Sequence, residues 1–99
     1  MFANKELRIF DTKTIKNGQI ITYCFISKDW EWDEKDGEEV PVYYENPYEN
    51  GIVIRVEEEE LAVVNKECGI DTIHIGEVIQ ESDEERTGIK ILGIRENAI

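Results

Sequence analysis

Ile15-Lys16-Asn17-Gly18-Gln19-Ile20-Ile21-Thr22-Tyr23-Cys24-Phe25-Ile26-Ser27 is the stretch on which the fold turns. Asn17-Gly18 supplies the two positive-φ positions of a tight type I′ turn, and apolar residues flank it on both sides. Counting outward from the turn predicts a hairpin of strands 6–16 and 19–27, with Ile15 opposite Ile20 and Phe10 opposite Phe25. In the second strand Ile21, Tyr23 and Phe25 share one face while Ile20, Cys24 and Ile26 share the other. A strand apolar on both faces belongs in the middle of a sheet.

Working toward the C-terminus, Val40-Pro41-Val42-Tyr43-Tyr44 reads as a short strand. Pro41 has no ladder donor, which sends that strand to an edge. Pro47, Asn50 and Gly51 mark a turn, after which Ile52, Ile54 and Val56 alternate with Val53 and Arg55 in the pattern of a half-buried strand. Leu61, Val64 and Cys68 then fall at i, i+3 and i+7 behind Glu57-Glu58-Glu59-Glu60, with Gly69 beyond. That spacing predicts a short helix over 58–68 with its acids at the positive end, although Ala62-Val63-Val64 also fits a strand. Alternation returns over 70–79, where Gly76 fits a bulge, and a last strand takes in Ile89, Ile91, Leu92 and Ile94. The expectation is one mostly β domain over residues 1–99, all-β or α+β. Its architecture is a small curved antiparallel sheet or an OB-like five-stranded barrel with one short helix between the third and fourth main strands.

The 99 residues carry a net charge of −12, unevenly placed. Residues 29–85 hold 20 acids against Lys35, Arg55 and Lys66, whereas both ends are net basic. Such a field repels phosphate backbones and anionic lipid and draws basic partners. Neither direct nucleic-acid binding nor a membrane role is expected. No apolar run reaches the ~18 residues of a membrane span and the first residues do not read as a secretory signal. Cys24 and Cys68 lack the spacing of a zinc site or a disulfide scaffold, so both read as reduced, buried side chains in a cytoplasmic protein.

Lys28-Asp29-Trp30-Glu31-Trp32-Asp33-Glu34-Lys35-Asp36-Gly37-Glu38-Glu39 packs seven acids and both tryptophans into twelve residues, and Tyr43, Tyr44 and Tyr48 follow. In an extended chain Trp30 and Trp32 share one face and Glu31 and Asp33 the other. A hairpin arm that buries its indoles is one outcome. A recognition surface is the other, since Trp and Tyr give rigid contact area and flanking charge sets partner choice. Asp29, Glu31 and Asp33 also take the first, third and fifth places of an EF-hand loop, but Glu34 and Val40 stand where Gly and Glu are required.

Chemistry of other kinds finds little support. His74 is the sole histidine, Ser27 and Ser82 stand in no nucleophile motif, and the glycines are scattered singly, so no catalytic residue, metal or cofactor is implied. The expectation is a non-catalytic protein-binding module, an acidic inhibitor or immunity-type protein that imitates nucleic acid and docks on a basic surface of a nucleic-acid-handling protein. Its contact residues are Asp29, Trp30, Glu31, Trp32, Asp33, Glu34, Asp36, Tyr43, Tyr44 and Tyr48, joined by Glu58, Glu59, Asp83 and Glu84 if the acidic clusters converge. Two alternatives stand beside it: a structural subunit that forms a homo-oligomer through the 40–44 edge, and a small-ligand-binding barrel with its mouth near His74.

Overall fold

The computed structural model describes residues 3–4, 9–80 and 86–96. Two short segments, β1 (Ala3–Asn4) and β2 (Ile9–Phe10), pair with each other. The main sheet holds β3 (Ile20–Asp33), β4 (Glu38–Glu45), β5 (Glu49–Val56), β6 (Glu60–Asn65), β7 (Ile70–His74) and β8 (Gly88–Arg95). Its strand pairings are all antiparallel, and the sheet curls into a half-barrel. The mostly β, curved-sheet expectation therefore holds.

β3 is the organising strand. Along one side Ile20–Ile26 pair with β8. Along the other, Ile20–Tyr23 pair with β5 and Ile26–Asp33 with β4, so β4 and β5 form successive halves of one run opposite β3. The break between them falls at Asn46-Pro47-Tyr48, where Pro47 cannot donate to a ladder. Asn46 bridges the gap: its backbone N–H and its Nδ2 both donate to the Phe25 carbonyl at 2.9 Å. β6 then pairs with β5 and β7 with β6.

The Asn17-Gly18 turn forms without the hairpin. Gly18 has φ +92°, and Gln19 N–H donates to Lys16 C=O at 3.3 Å. Yet the residues before it do not pair with β3, because both sides of β3 are taken by β5 and β8. Asp11 instead folds the chain locally, its carboxylate accepting the Lys13 N–H at 3.0 Å and its carbonyl the Ile15 N–H at 3.0 Å. Phe10 and Ile15, expected to face Phe25 and Ile20 across a ladder, are fully buried plugs in the core. There they join Ile21, Tyr23, Val53, Leu61, Val63 and Ile73.

The helix over 58–68 is not present either. Residues 60–65 are strand β6, and the helical element among the described residues is a 3-10 turn, Ile75–Glu77, which also takes Gly76 out of any bulge. A helix would have buried Leu61 and Val64 together. The strand buries Leu61 and Val63 on the core side, and β-branched Val63-Val64 favours it. The following residues reverse tightly, with Cys68 at φ +63° and the Asn65 side-chain oxygen accepting the N–H groups of Glu67 and Gly69 at 3.0 Å each. Cys68 is consequently exposed, against the expectation that both cysteines are buried; Cys24 is buried as expected. In β5 the inward residue is Val53, while Ile52 and Ile54 face out, and a register shift between Val53 and Arg55 leaves Ile54 without a partner on β6.

No helix among the described residues is long and apolar enough to cross a membrane.

Candidate functional site

Beyond Ile26 and Gly88, where β8 begins, β3 and β4 run on as a two-stranded arm covered by no other described strand. Seven residue steps at ~3.3 Å carry it about 23 Å from the sheet. The molecule measures 53 × 33 × 19 Å along its principal axes. The arm closes through Glu34-Lys35-Asp36-Gly37. Gly37 takes φ +67° and its N–H donates to the Asp33 carbonyl at 2.9 Å, while the Asp33 carboxylate accepts the Lys35 N–H at 2.9 Å. Glu34 and Asp36 stand exposed at the tip.

Register assigns the two faces. Trp30 lies opposite Pro41, Trp32 opposite Glu39 and Lys28 opposite Tyr43, so these six share one face. Asp29, Glu31 and Asp33 lie on the other, opposite Val42, Val40 and Glu38. Trp30 is 54% and Trp32 64% exposed, unusual for the most bulky apolar side chain. Lys28 Nζ sits 4.5 Å from the centre of the Trp30 ring, a cation–π contact. From Ile26 to Glu45 the arm carries eight carboxylates against two lysines.

Both edges of the arm are closed at mid-length. Asn46 N–H points to β3, and the two-residue period then points the Pro41 nitrogen outward, where it has no hydrogen to offer. Directly opposite, the outward N–H of Trp30 is taken by the Asp29 carboxylate at 2.8 Å.

At the foot of the arm Glu45 joins three elements. Its carboxylate accepts from Lys90 Nζ on β8 at 2.6 Å and from the Tyr48 hydroxyl at 2.8 Å. The Lys90 bond, then the Tyr48 bond, hold the Glu45 carboxyl below the usual carboxylate range. The same pairing raises the Tyr48 phenol. Beside it, burial pushes the Cys24 thiol up, with the Glu45 charge adding to the effect. Tyr48, 57% exposed, thus belongs to the foot rather than to the indole face; Tyr44 lies on the carboxylate face and Tyr43 on the indole face.

Glu58 and Glu59 do not join the arm. They form the β5–β6 turn, at the opposite end of the β4–β5 run from the arm's tip, and their carbonyls accept the N–H groups of Phe10 and Ile75 at 2.8 Å each. Neighbouring Glu60 is paired with Arg55 at 2.7 Å and with His74 at 3.5 Å. Asp83 and Glu84 fall outside the described residues.

Among the described residues no group of His, Cys, Asp and Glu is placed to hold a metal ion. An open cleft of about 380 Å³ lies between the arm's foot and the 3-10 turn, lined by Phe25, Ser27, Gly76, Arg86 and Gly88; His74 is not part of it. A second surface that went unread in the sequence crosses the outside of the sheet: Ile20, Ile52, Val64 and Ile70 are successive cross-strand partners, with Ile52 43% and Ile70 66% exposed.

Protein-family models, curated proteins and solved structures contain no match to this chain.

Proposed function

We propose that this chain is a non-catalytic protein-binding module, an acidic inhibitor or immunity-type protein whose arm docks on a basic surface of a nucleic-acid-handling protein. The observation that carries this reading is the pair of exposed indoles, Trp30 and Trp32, set on an arm dominated by carboxylates. Covering the exposed part of each indole removes roughly 130–150 Å² from water, about 3 kcal/mol per ring at ~25 cal/mol per Å² before the costs of association. The carboxylates contribute mainly to encounter rate and partner choice. Free Cys24 and Cys68 fit a reducing compartment, and the cytoplasm is where this reading puts the protein.

The test is retention of a partner from low-salt lysate of the source cell on immobilised chain. Trp30→Ala/Trp32→Ala abolishes retention, and Glu31→Lys/Asp33→Lys slows association, with wild-type retention falling as salt rises. Retention that survives the double alanine change and ignores salt sinks the proposal.

A homo-oligomer is the second reading, and the outward row Ile20, Ile52, Val64 and Ile70 favours it, rather than the β4 edge, where Pro41 interrupts the donors. Light scattering decides it: a monomer at millimolar concentration removes the reading, and a dimer that Ile70→Lys dissociates supports it.

A further inference from the structure

We infer that the arm imitates a single strand of nucleic acid, and that its partner is a protein whose basic, aromatic-lined channel binds single strands. The inference rests on the reading of the arm as a partner-binding element and goes on to name the partner's class. From Asp29 to Asp33 strand β3 alternates carboxylate and indole without interruption. The pleat throws Asp29, Glu31 and Asp33 to one face and Trp30 and Trp32 to the other.

A strand of nucleic acid has the same division, anions along one side and planar rings along the other. The repeat on the arm is about 6.7 Å. Stacked duplex advances only ~3.4 Å per nucleotide, so the arm has the period of an unstacked, drawn-out strand rather than of a duplex. Proteins that hold such strands combine a positive groove for the phosphates with aromatic platforms for the bases. Along β3 the carboxylates of Asp29, Glu31 and Asp33 and the rings of Trp30 and Trp32 meet both requirements on opposite faces, while β4 adds Glu39 beside Trp32 on the indole face.

The edges argue the same way. A partner that captured the arm by adding a strand needs a continuous row of outward donors. Pro41 has none, and the Trp30 N–H is already bound to Asp29 at 2.8 Å. With each edge interrupted at this level, the two faces offer a partner the more continuous surface. Lys28 occupies one side of the Trp30 ring, and the exposed part of Trp32, 64% of it, is open to stacking.

The experiment immobilises the full chain, loads low-salt lysate of the source cell, and elutes in parallel with a single-stranded oligothymidylate and with its duplex of equal length. Release by the single strand at concentrations where the duplex is inactive is the expected result. Trp30→Leu/Trp32→Leu, which keeps apolar bulk but removes the rings, lowers retention about tenfold or more. Both side chains are exposed, so circular dichroism unchanged from wild type confirms that this variant folds. A retained protein that neither oligonucleotide releases, or that the duplex releases better, overturns the single-strand inference while leaving the arm as the docking element. No retention at all, or retention indifferent to the indoles, overturns both.

Discussion

Replacing Tyr23 by phenylalanine removes one hydroxyl from the core half of β3. The side chain is fully buried, its ring standing edge-to-face against Phe25 with centroids 6.0 Å apart. Its hydroxyl donates to Asp71 Oδ2 on β7 at 2.6 Å, and the same oxygen accepts from Asn65 Nδ2 at 3.1 Å. A hydrogen bond to a charged acceptor contributes about 1.5–3 kcal/mol. Asp71 is only half-buried and keeps Asn65, so the lower end applies. The loss near neutral pH is therefore about 1.5 kcal/mol, a fall of about 6–12 °C in melting temperature for a domain of this size.

The pH dependence tests the physical cause. Burial first, then the bond to Asp71 and the charges of Asp71 and Glu49, push the Tyr23 phenol well above its usual value. Unfolded tyrosine ionises near pH ~10. Above that pH the unfolded chain releases a proton that the folded chain retains, so wild-type stability falls by about 1.4 kcal/mol per pH unit through this site. The phenylalanine variant has nothing there to ionise. The wild-type advantage should be whole below pH ~9 and gone near pH ~11. Urea titrations of both proteins across that range measure it, with other lysines and tyrosines cancelling in the difference. A gap that stays constant means the phenol titrates alike in both states and refutes the account of its burial.

Gly88→Ala should cost about 2–3 kcal/mol in the same assay, because a Cβ there collides with the Glu77 carbonyl oxygen and lies 3.0 Å from Ile79 Cγ1; loss within error of zero refutes the packing at the start of β8. Under native conditions a maleimide should label Cys68 at once and Cys24 only on unfolding, since one thiol is exposed and the other buried; equal rates contradict the burial. Pro41→Thr combined with Asp29→Ala restores outward donors on both arm edges at one level, and sedimentation should then show concentration-dependent self-association absent from wild type. Sedimentation unchanged from wild type would show that these two residues do not guard the edges.

Strands whose residues alternate over a core were legible: β5, β8 and the core half of β3 follow from Ile and Val at two-residue spacing, though β5 turns Val53 inward rather than Ile52 and Ile54, and Pro41 correctly sent β4 to an edge. Asn17-Gly18 misled because a turn motif fixes only the local path of the chain. What pairs with β3 is settled by β5 and β8, from 26 and more residues away in sequence. Leu61, Val64 and Cys68 satisfied a helical period that the tertiary neighbours of β6 overrode. The arm was half visible. Its division into indole and carboxylate faces follows from alternation alone, but its freedom from the sheet does not, because nothing in the sequence says where β8 begins to pair. The acids of Glu57–Glu60 and of the arm looked alike in sequence, and only the topology separates them.

The stretch Ile20–Asp33 contains neither glycine nor proline. On the β3 side, arm and half-barrel thus share a single uninterrupted beam, and the arm behaves as a cantilever rather than a hinged flap. Whatever grips the tip meets an object already pointed in its working direction, so little orientational entropy is lost on capture. Torque at the tip passes straight into the wall that holds Tyr23, and amide exchange should slow steadily from tip to root with no abrupt step at Ile26.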